Sequence, residues 1–208
     1  MFSLLKKLYP ICRSITGIGN RKTLRILKKE IPNLKINEIK SGTKVFDWVI
    51  PPEWNVKNAY VLDSKNNKII DFKKNNLHLV SYSKPLNKNV GKKELLDHLH
   101  SLQSQPNAIP YVTSYYNDYW GFCVTHKVKK KIQSSKSKNF QIKIESSFNH
   151  NGSLTFGEVF LKGKTSKEIL ISTYICHPSM ANNELSGPVV ATYLVKYFQK
   201  LPNYYSIR

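Results

Sequence analysis

Glu168-Ile-Leu-Ile-Ser-Thr-Tyr-Ile-Cys-His-Pro-Ser-Met-Ala-Asn-Asn-Glu-Leu-Ser-Gly187 decides the fold class. Residues 168–175 form an apolar run that reads as a buried strand. A short polar loop carrying His177 follows, and Ser186 and Pro188 open a helix expected to run to about residue 200. Ligands of open α/β sheets bind outside the carboxyl ends of the strands, so His177 stands where such a site forms. Cys176, His177 and Glu184 all carry metal-ligating atoms. Cys176 ends an apolar strand, where a free cysteine is usually a small buried hydrophobe. Asn182, Asn183 and Glu184 also suit a turn and helix start. Of these only Glu184 offers a charged oxygen, and it is favourable near a helix N-terminus.

Upstream, residues 140–147 and 153–162 read as strands joined by the turn Asn149-His-Asn-Gly152. Near the N-terminus, 3–9 and 20–31 read as helices. Leu24, Leu27 and Ile31 recur at helical spacing, Asn20 is placed to cap the start, and Pro32 ends the second helix. Between 34 and 82 the pattern shortens to strands at 34–40, 44–50, 58–63, 68–72 and 77–82. A helix is expected over 91–102, which places His98 and His100 on different faces. His126 closes an aromatic stretch, 109–126, whose Tyr115, Tyr116, Tyr119, Trp120 and Phe122 suit a small β core or a stacking surface. Lys127 to Lys138 contains six lysines and reads as a solvated linker. These breaks predict an α/β domain from 1–40 and 136–208, with a β-rich module of 41–135 inserted.

The formal net charge of +20 raises nucleic acid or an anionic surface as partners. Only four of the 33 basic residues are arginine, the usual reader of phosphate and guanine, and the lysines are dispersed. Bland surface charge is the expectation. The three cysteines are scattered without CxxC spacing, which argues for a reducing compartment and against a disulfide framework. Lys6 and Lys7 interrupt any signal-peptide core, and no apolar run approaches the ~18 residues of a membrane helix. A soluble cytoplasmic protein is expected.

Leu154 to Pro178 resembles the paired strands leading to the first zinc-binding histidine of co-catalytic zinc aminopeptidases. Met180-Ala-Asn-Asn-Glu-Leu-Ser-Gly187 resembles their stretch holding the aspartate that bridges two zincs. The whole chain is more closely similar to a bacterial aminopeptidase-like family found among surface-polysaccharide biosynthesis genes. Arg13-Ser-Ile-Thr-Gly17, Phe46-Asp-Trp-Val-Ile-Pro-Pro-Glu-Trp54, Leu99-His-Ser-Leu102, Ile109-Pro-Tyr-Val-Thr-Ser-Tyr-Tyr116, Trp120-Gly-Phe-Cys123 and Cys176-His-Pro-Ser179 carry that likeness.

The resemblance implies a mixed zinc-aminopeptidase-like sheet, with His177 as a zinc ligand. Asn183 falls at the bridging-aspartate position, a departure from the family's pattern: either Glu184 takes that role with a changed helix register, or the site is altered or dead. Tyr204-Tyr-Ser-Ile-Arg208 resembles the opening of the family's next core strand, beyond which lie the general-base glutamate and the remaining ligands. The expectation is therefore the N-terminal half of an aminopeptidase-like zinc hydrolase, with an incomplete zinc site and no activity alone. Joined to a C-terminal half, it would act on an amide of a peptide or amino-sugar substrate. Self-association is a further expected partnership. A non-enzymatic glycan- or protein-binding module is the rival expectation, and a basic nucleic-acid binder the weaker one.

Overall fold

The computed structural model describes residues 1–208. In chain order the helices are α1 (Phe2–Leu8), α2 (Ile18–Glu30), α3 (Lys92–Asp97), α4 (His126–Ser134) and α5 (Ser186–Phe198). The strands are β1 (Lys35–Lys40), β2 (Lys44–Val45), β3 (Trp48–Val49), β4 (Glu53–Leu62), β5 (Lys68–Asp71), β6 (Leu86–Gly91), β7 (Leu99–His100), β8 (Phe122–Cys123), β9 (Asn139–Asn149), β10 (Ser153–Glu158), β11 (Glu168–Ile169) and β12 (Ser206–Ile207). They form two compact units, one of residues 1–53 and 149–208, the other of 54–148. The chain leaves the first unit later than residue 40 and returns later than 136. Strand β9 belongs to the second unit, inside its sheet β5-β4-β9-β6.

The first unit is a mixed α/β body. The stripe Leu24, Leu27 and Ile31 packs in one core with Leu4, Leu8 and Ile11 of the N-terminal segment, Val159, and Leu185 and Val189 at the start of α5. Gly17, at φ 109, is the N-cap of α2, so the helix begins earlier than an Asn20 cap would allow. Asn20 instead sits in the first turn, and its Nδ2 donates to the Ser14 carbonyl at 2.7 Å.

Strand β1 pairs antiparallel with β10, from Lys35 opposite Glu158 to Lys40 opposite Ser153. Arg21 ties α2 to this pair. Its guanidinium makes two parallel bonds to Glu53, at 2.7 and 2.6 Å, and one to Glu38 at 2.6 Å. The expected strand at 44–50 is a tight β2–β3 hairpin, because Phe46 adopts φ 55 and turns the chain.

The strand expected at 168–175 is regular only at its start. Only Glu168–Ile169 is laddered, parallel to β12, and the main-chain pairing ends where Ile171 N–H meets the Arg208 carbonyl. Residues 168–174 are exposed, with Leu170 at 70%. An apolar run predicts burial only where neighbours cover both faces, and within this unit the run has one short neighbour.

In the second unit the expected helix over 91–102 stops at Asp97, and the chain extends into β7. Extended backbone places i and i+2 on one face, so His98 and His100 both meet Tyr119, with ring centroids at 5.1 and 6.0 Å. His98 also stacks on Trp120 at 3.8 Å. The expected strand at 77–82 is a 3₁₀ turn, Asn76–His78, followed by isolated bridges. The lysine-rich stretch expected as a linker forms α4, capped by Thr125 Oγ1 on Val128 N–H at 3.2 Å. Trp54, Tyr82, Trp120 and Phe122 are buried here, and Trp54 stacks on Tyr82 at 5.6 Å. No helix is long and apolar enough to cross a membrane.

Candidate metal centre

The site is built by the loop from the exposed segment to α5. After Cys176 and His177 the chain turns at Ser179, whose φ of 35 lies in the left-handed region. Ser179 Oγ holds that turn by donating to the Tyr9 carbonyl at 3.1 Å. A single π-turn, Ala181–Leu185, then precedes α5. Such a turn winds in one residue more than an α-turn and re-aims its side chains. Here it buries Glu184 and Leu185 and leaves Ala181, Asn182 and Asn183 exposed.

Glu184 and His177 meet as a result. The Glu184 side chain is fully buried, and its Oε1 accepts from the His177 backbone N–H at 2.8 Å. Its Oε2 lies 2.6 Å from His177 Nδ1. Cys176 Sγ stands 3.5 Å from Nδ1 and 4.0 Å from Nε2. The contacts with Cys176 and with Glu184 raise the imidazole from 6.5 to about 9, against the opposing effect of burial. Tyr174 packs edge-on against the ring at 5.7 Å, and its hydroxyl donates to the Asn183 carbonyl at 3.1 Å.

A buried cation feels the charge of Glu184. Arg13 is fully buried and donates from Nη1 to the Leu8 carbonyl at 2.7 Å, while its Nε and Nη2 have no partner. Burial lowers its pKa, and the charge of Glu184 opposes that drop. Burial likewise pushes the adjacent Cys12 thiol up to about 12.

Of the three residues expected as ligands, the structure brings His177 and Glu184 together. Asn183 is exposed and contributes its main-chain carbonyl to Tyr174. Ligating atoms of Cys176, His177 and Glu184 lie within 4.8 Å of one another. Cys176 is half-buried with its sulfur toward the imidazole, so it is not the inert core hydrophobe expected of a cysteine ending an apolar run. Arg13 and Tyr174 carried no chemical signal at the sequence level. Arg13 was visible only as the first residue of the Arg13-Ser-Ile-Thr-Gly17 likeness.

The donor set fits a borderline-soft divalent ion, because thiolate, imidazole and carboxylate are the groups zinc takes. Glu184 bonds Nδ1, so Nε2 is the ring nitrogen that a metal would take. A histidine whose other nitrogen is held by a carboxylate is the usual arrangement around bound zinc. A structural zinc site takes about four ligands, and this cluster supplies three at most.

The aromatic stretch and remaining histidines lie elsewhere. His126 Nδ1 is 3.1 Å from Ser101 Oγ, and His78 Nδ1 is 2.8 Å from the Cys123 carbonyl. None of them joins the Cys176–His177–Glu184 group.

The model of the family described as a domain of unknown function, DUF4910, matches residues 2–208. A Clostridium acetobutylicum protein named for polysaccharide biosynthesis and an aminopeptidase-like domain is 49% identical over 208 residues, which is 100% of this chain and 47% of that protein. A crystal structure from Clostridium acetobutylicum, named as a peptidase, superposes with a TM-score of 0.93 at 48% identity. It covers 99% of this chain and 48% of that one. A zinc aminopeptidase of Bacillus subtilis matches with a TM-score of 0.59 at 11% identity, over 100% of this chain and 59% of that one. That last likeness establishes the zinc-aminopeptidase-like fold. The chain spans about half the length of the curated relative it matches.

Proposed function

The chain belongs to the DUF4910 family, and from that membership we propose that it is the N-terminal part of an aminopeptidase-like zinc hydrolase serving surface-polysaccharide biosynthesis. The observation that carries this reading is the pairing of His177 with buried Glu184 at 2.6 Å, on a loop before a helix in a zinc-aminopeptidase-like fold. His177 Nε2 and Cys176 Sγ would hold the metal. Glu184 fixes the histidine by bonding its Nδ1 and by accepting from the His177 backbone N–H, and Arg13 balances the buried carboxylate. When bound, zinc supplies a Lewis acid that polarises a carbonyl.

The substrate we propose carries an amide, in a peptide or an amino-sugar precursor. Hydrolysis also needs a carboxylate free to move a proton. Glu184 is committed to His177, so these 208 residues hold no such base at the cluster and are inactive alone. The cytosol is the proposed compartment.

Zinc titration against a chelator tests the metal assignment. Wild type should bind one zinc weakly, and His177→Ala should lose it. Glu184→Gln should weaken it by roughly 10- to 100-fold, the usual cost of removing a carboxylate that orients a ligating histidine. Equal binding by wild type and His177→Ala removes His177 from the site. Amidase or peptidase activity in the isolated chain, lost in His177→Ala, overturns the assignment of inactivity.

A further inference from the structure

The lysine-rich stretch expected as a linker gives the second unit a helix charged along one side. From Tyr119 to Ile144 the chain has seven lysines and no acidic residue. Lys127, Lys130 and Lys131 stand at i, i+3 and i+4 of α4, so they share one face, and all three are exposed. Ile132, on the other side of the helix, is buried. Lys136 and Lys138 follow α4. Lys93 of α3 adjoins them, because the Lys92 N–H bonds the Lys138 carbonyl at 2.9 Å. These three lysines are exposed too.

Two neighbouring lysines have structural partners. Lys129 Nζ donates to the Leu99 carbonyl at 2.6 Å, and Lys92 Nζ to the Ser135 carbonyl at 2.5 Å. The six exposed ammonium groups form no hydrogen bond or ion pair. Like charges at i+3 and i+4 repel, and Lys127 stands in the first turn, where the helix dipole disfavours a cation. The acids of α3 do not offset this. Glu94 is bonded to Lys88 at 2.7 Å, and Asp97 is a single charge against six. Such a face costs the isolated chain stability and complements a negatively charged surface.

Two observations select a bilayer over a nucleic acid. All four arginines, Arg13, Arg21, Arg25 and Arg208, lie in the first unit, so this face offers no planar fork to phosphodiesters or bases. Leu102, 41% exposed, adjoins Ser101, whose Oγ is 3.1 Å from His126 Nδ1 at the start of α4. An aliphatic tip beside a lysine face suits the boundary between headgroups and acyl chains.

We propose that the outer face of α4, with Lys93, Lys136 and Lys138, docks the protein on the surface of an anionic phospholipid membrane. The contact is peripheral. Each lysine near a negatively charged leaflet strengthens binding about fivefold, an effect confined to a Debye length. It does not depend on the metal cluster.

Flotation of the full chain with vesicles one-third phosphatidylglycerol in phosphatidylcholine tests this. At about 0.1 M salt wild type should float with them, and at about 0.5 M it should not. It should not float with phosphatidylcholine alone. Combined Lys127→Gln, Lys130→Gln and Lys131→Gln keeps helix-favouring side chains and should weaken binding at least about 20-fold. Combined Lys22→Gln, Lys28→Gln and Lys29→Gln on α2 removes the same charge from the first unit and should weaken it less than about threefold. Circular dichroism establishes that both variants are folded. Equal losses in the two variants would make net charge the cause and overturn the proposal. Equal binding to neutral vesicles, or binding that survives high salt, also overturns it. So does mixed-sequence duplex DNA that strips the protein from the vesicles at equal total charge. The vesicle, salt and DNA comparisons need only wild type, so they decide the matter even if a variant does not fold.

Discussion

His177 and Glu184 are adjacent in space because one π-turn advances the chain before α5. The contacts of His177 with Cys176 and with Glu184 together make a pH-dependent contribution to stability. The imidazole pKa rises from 6.5 to about 9 on folding, so the folded chain holds a proton that the unfolded chain releases within that window. The contribution is complete below 6.5, declines as pH rises, and is lost above about 9. Urea unfolding of wild type and Glu184→Gln at pH 6, 7.5 and 9.5 should show the gap between them shrinking with pH. At pH 6 the gap should be about 1.5–3 kcal/mol, the range for a hydrogen bond to a charged group. A pH-independent gap would show that the pair does not titrate as a unit. The residue types of this site were legible in the sequence: a histidine after an apolar run and a carboxylate before a helix. Their roles were not. Consecutive side chains on a helical turn point about 100° apart, so which of Asn183 and Glu184 turns inward depends on the winding of one turn. No residue type in 180–187 signals a π-turn, and Arg13 lies far away in sequence.

At the scale of elements, Arg21 joins α2 to three pieces of the first unit. It bonds Glu38 on β1, Glu53 at the start of β4 and Ser153 on β10, and Glu53 is buried. Arg21→Ala leaves that carboxylate without its cation and should cost about 3 kcal/mol. Arg21→Lys should recover part of it, since lysine restores the charge but not the planar fork. Equal losses in both variants would show that the fork geometry dominates. Gly163 fixes the pairing beside β12 in a different way. A Cβ there would lie 2.3 Å from the Tyr205 carbonyl carbon and 2.5 Å from its oxygen. The neighbour is backbone, so Gly163→Ala should displace the strand and cost about 1–3 kcal/mol in a thermal melt.

The sequence pattern located most of these elements, because the period of apolar residues reports which face is buried. The stripe of α2 and the strands at 35–40 and 139–149 follow it. Periodicity does not report partners, which is why 168–175 reads as a covered strand yet is exposed. Nor does it resolve a break that side chains bridge. Leu95, Leu96, Leu99 and Leu102 continue a helical stripe across Asp97, although the chain extends beyond it to form β7.

For the whole molecule, two forces of opposite sign set the behaviour in solution. Ile169, Leu170, Ile171, Tyr174, Tyr197, Tyr204 and Tyr205 are exposed on the first unit. Beyond Ile171 the extended segment has no ladder partner, and monomers seldom leave such surface uncovered. Against this stands a net charge of +20, which makes copies repel. At about 0.05 M salt the repulsion reaches beyond 10 Å, and at about 1 M it is confined to roughly 3 Å. Apolar attraction acts at contact and salt does not screen it. Sedimentation velocity should therefore show a monomer at low salt and growing association as salt is added. Leu170→Lys with Tyr204→Lys should hold the chain monomeric throughout. The opposite trend, with association strongest at low salt, would mean that ion pairs rather than this apolar surface join the copies.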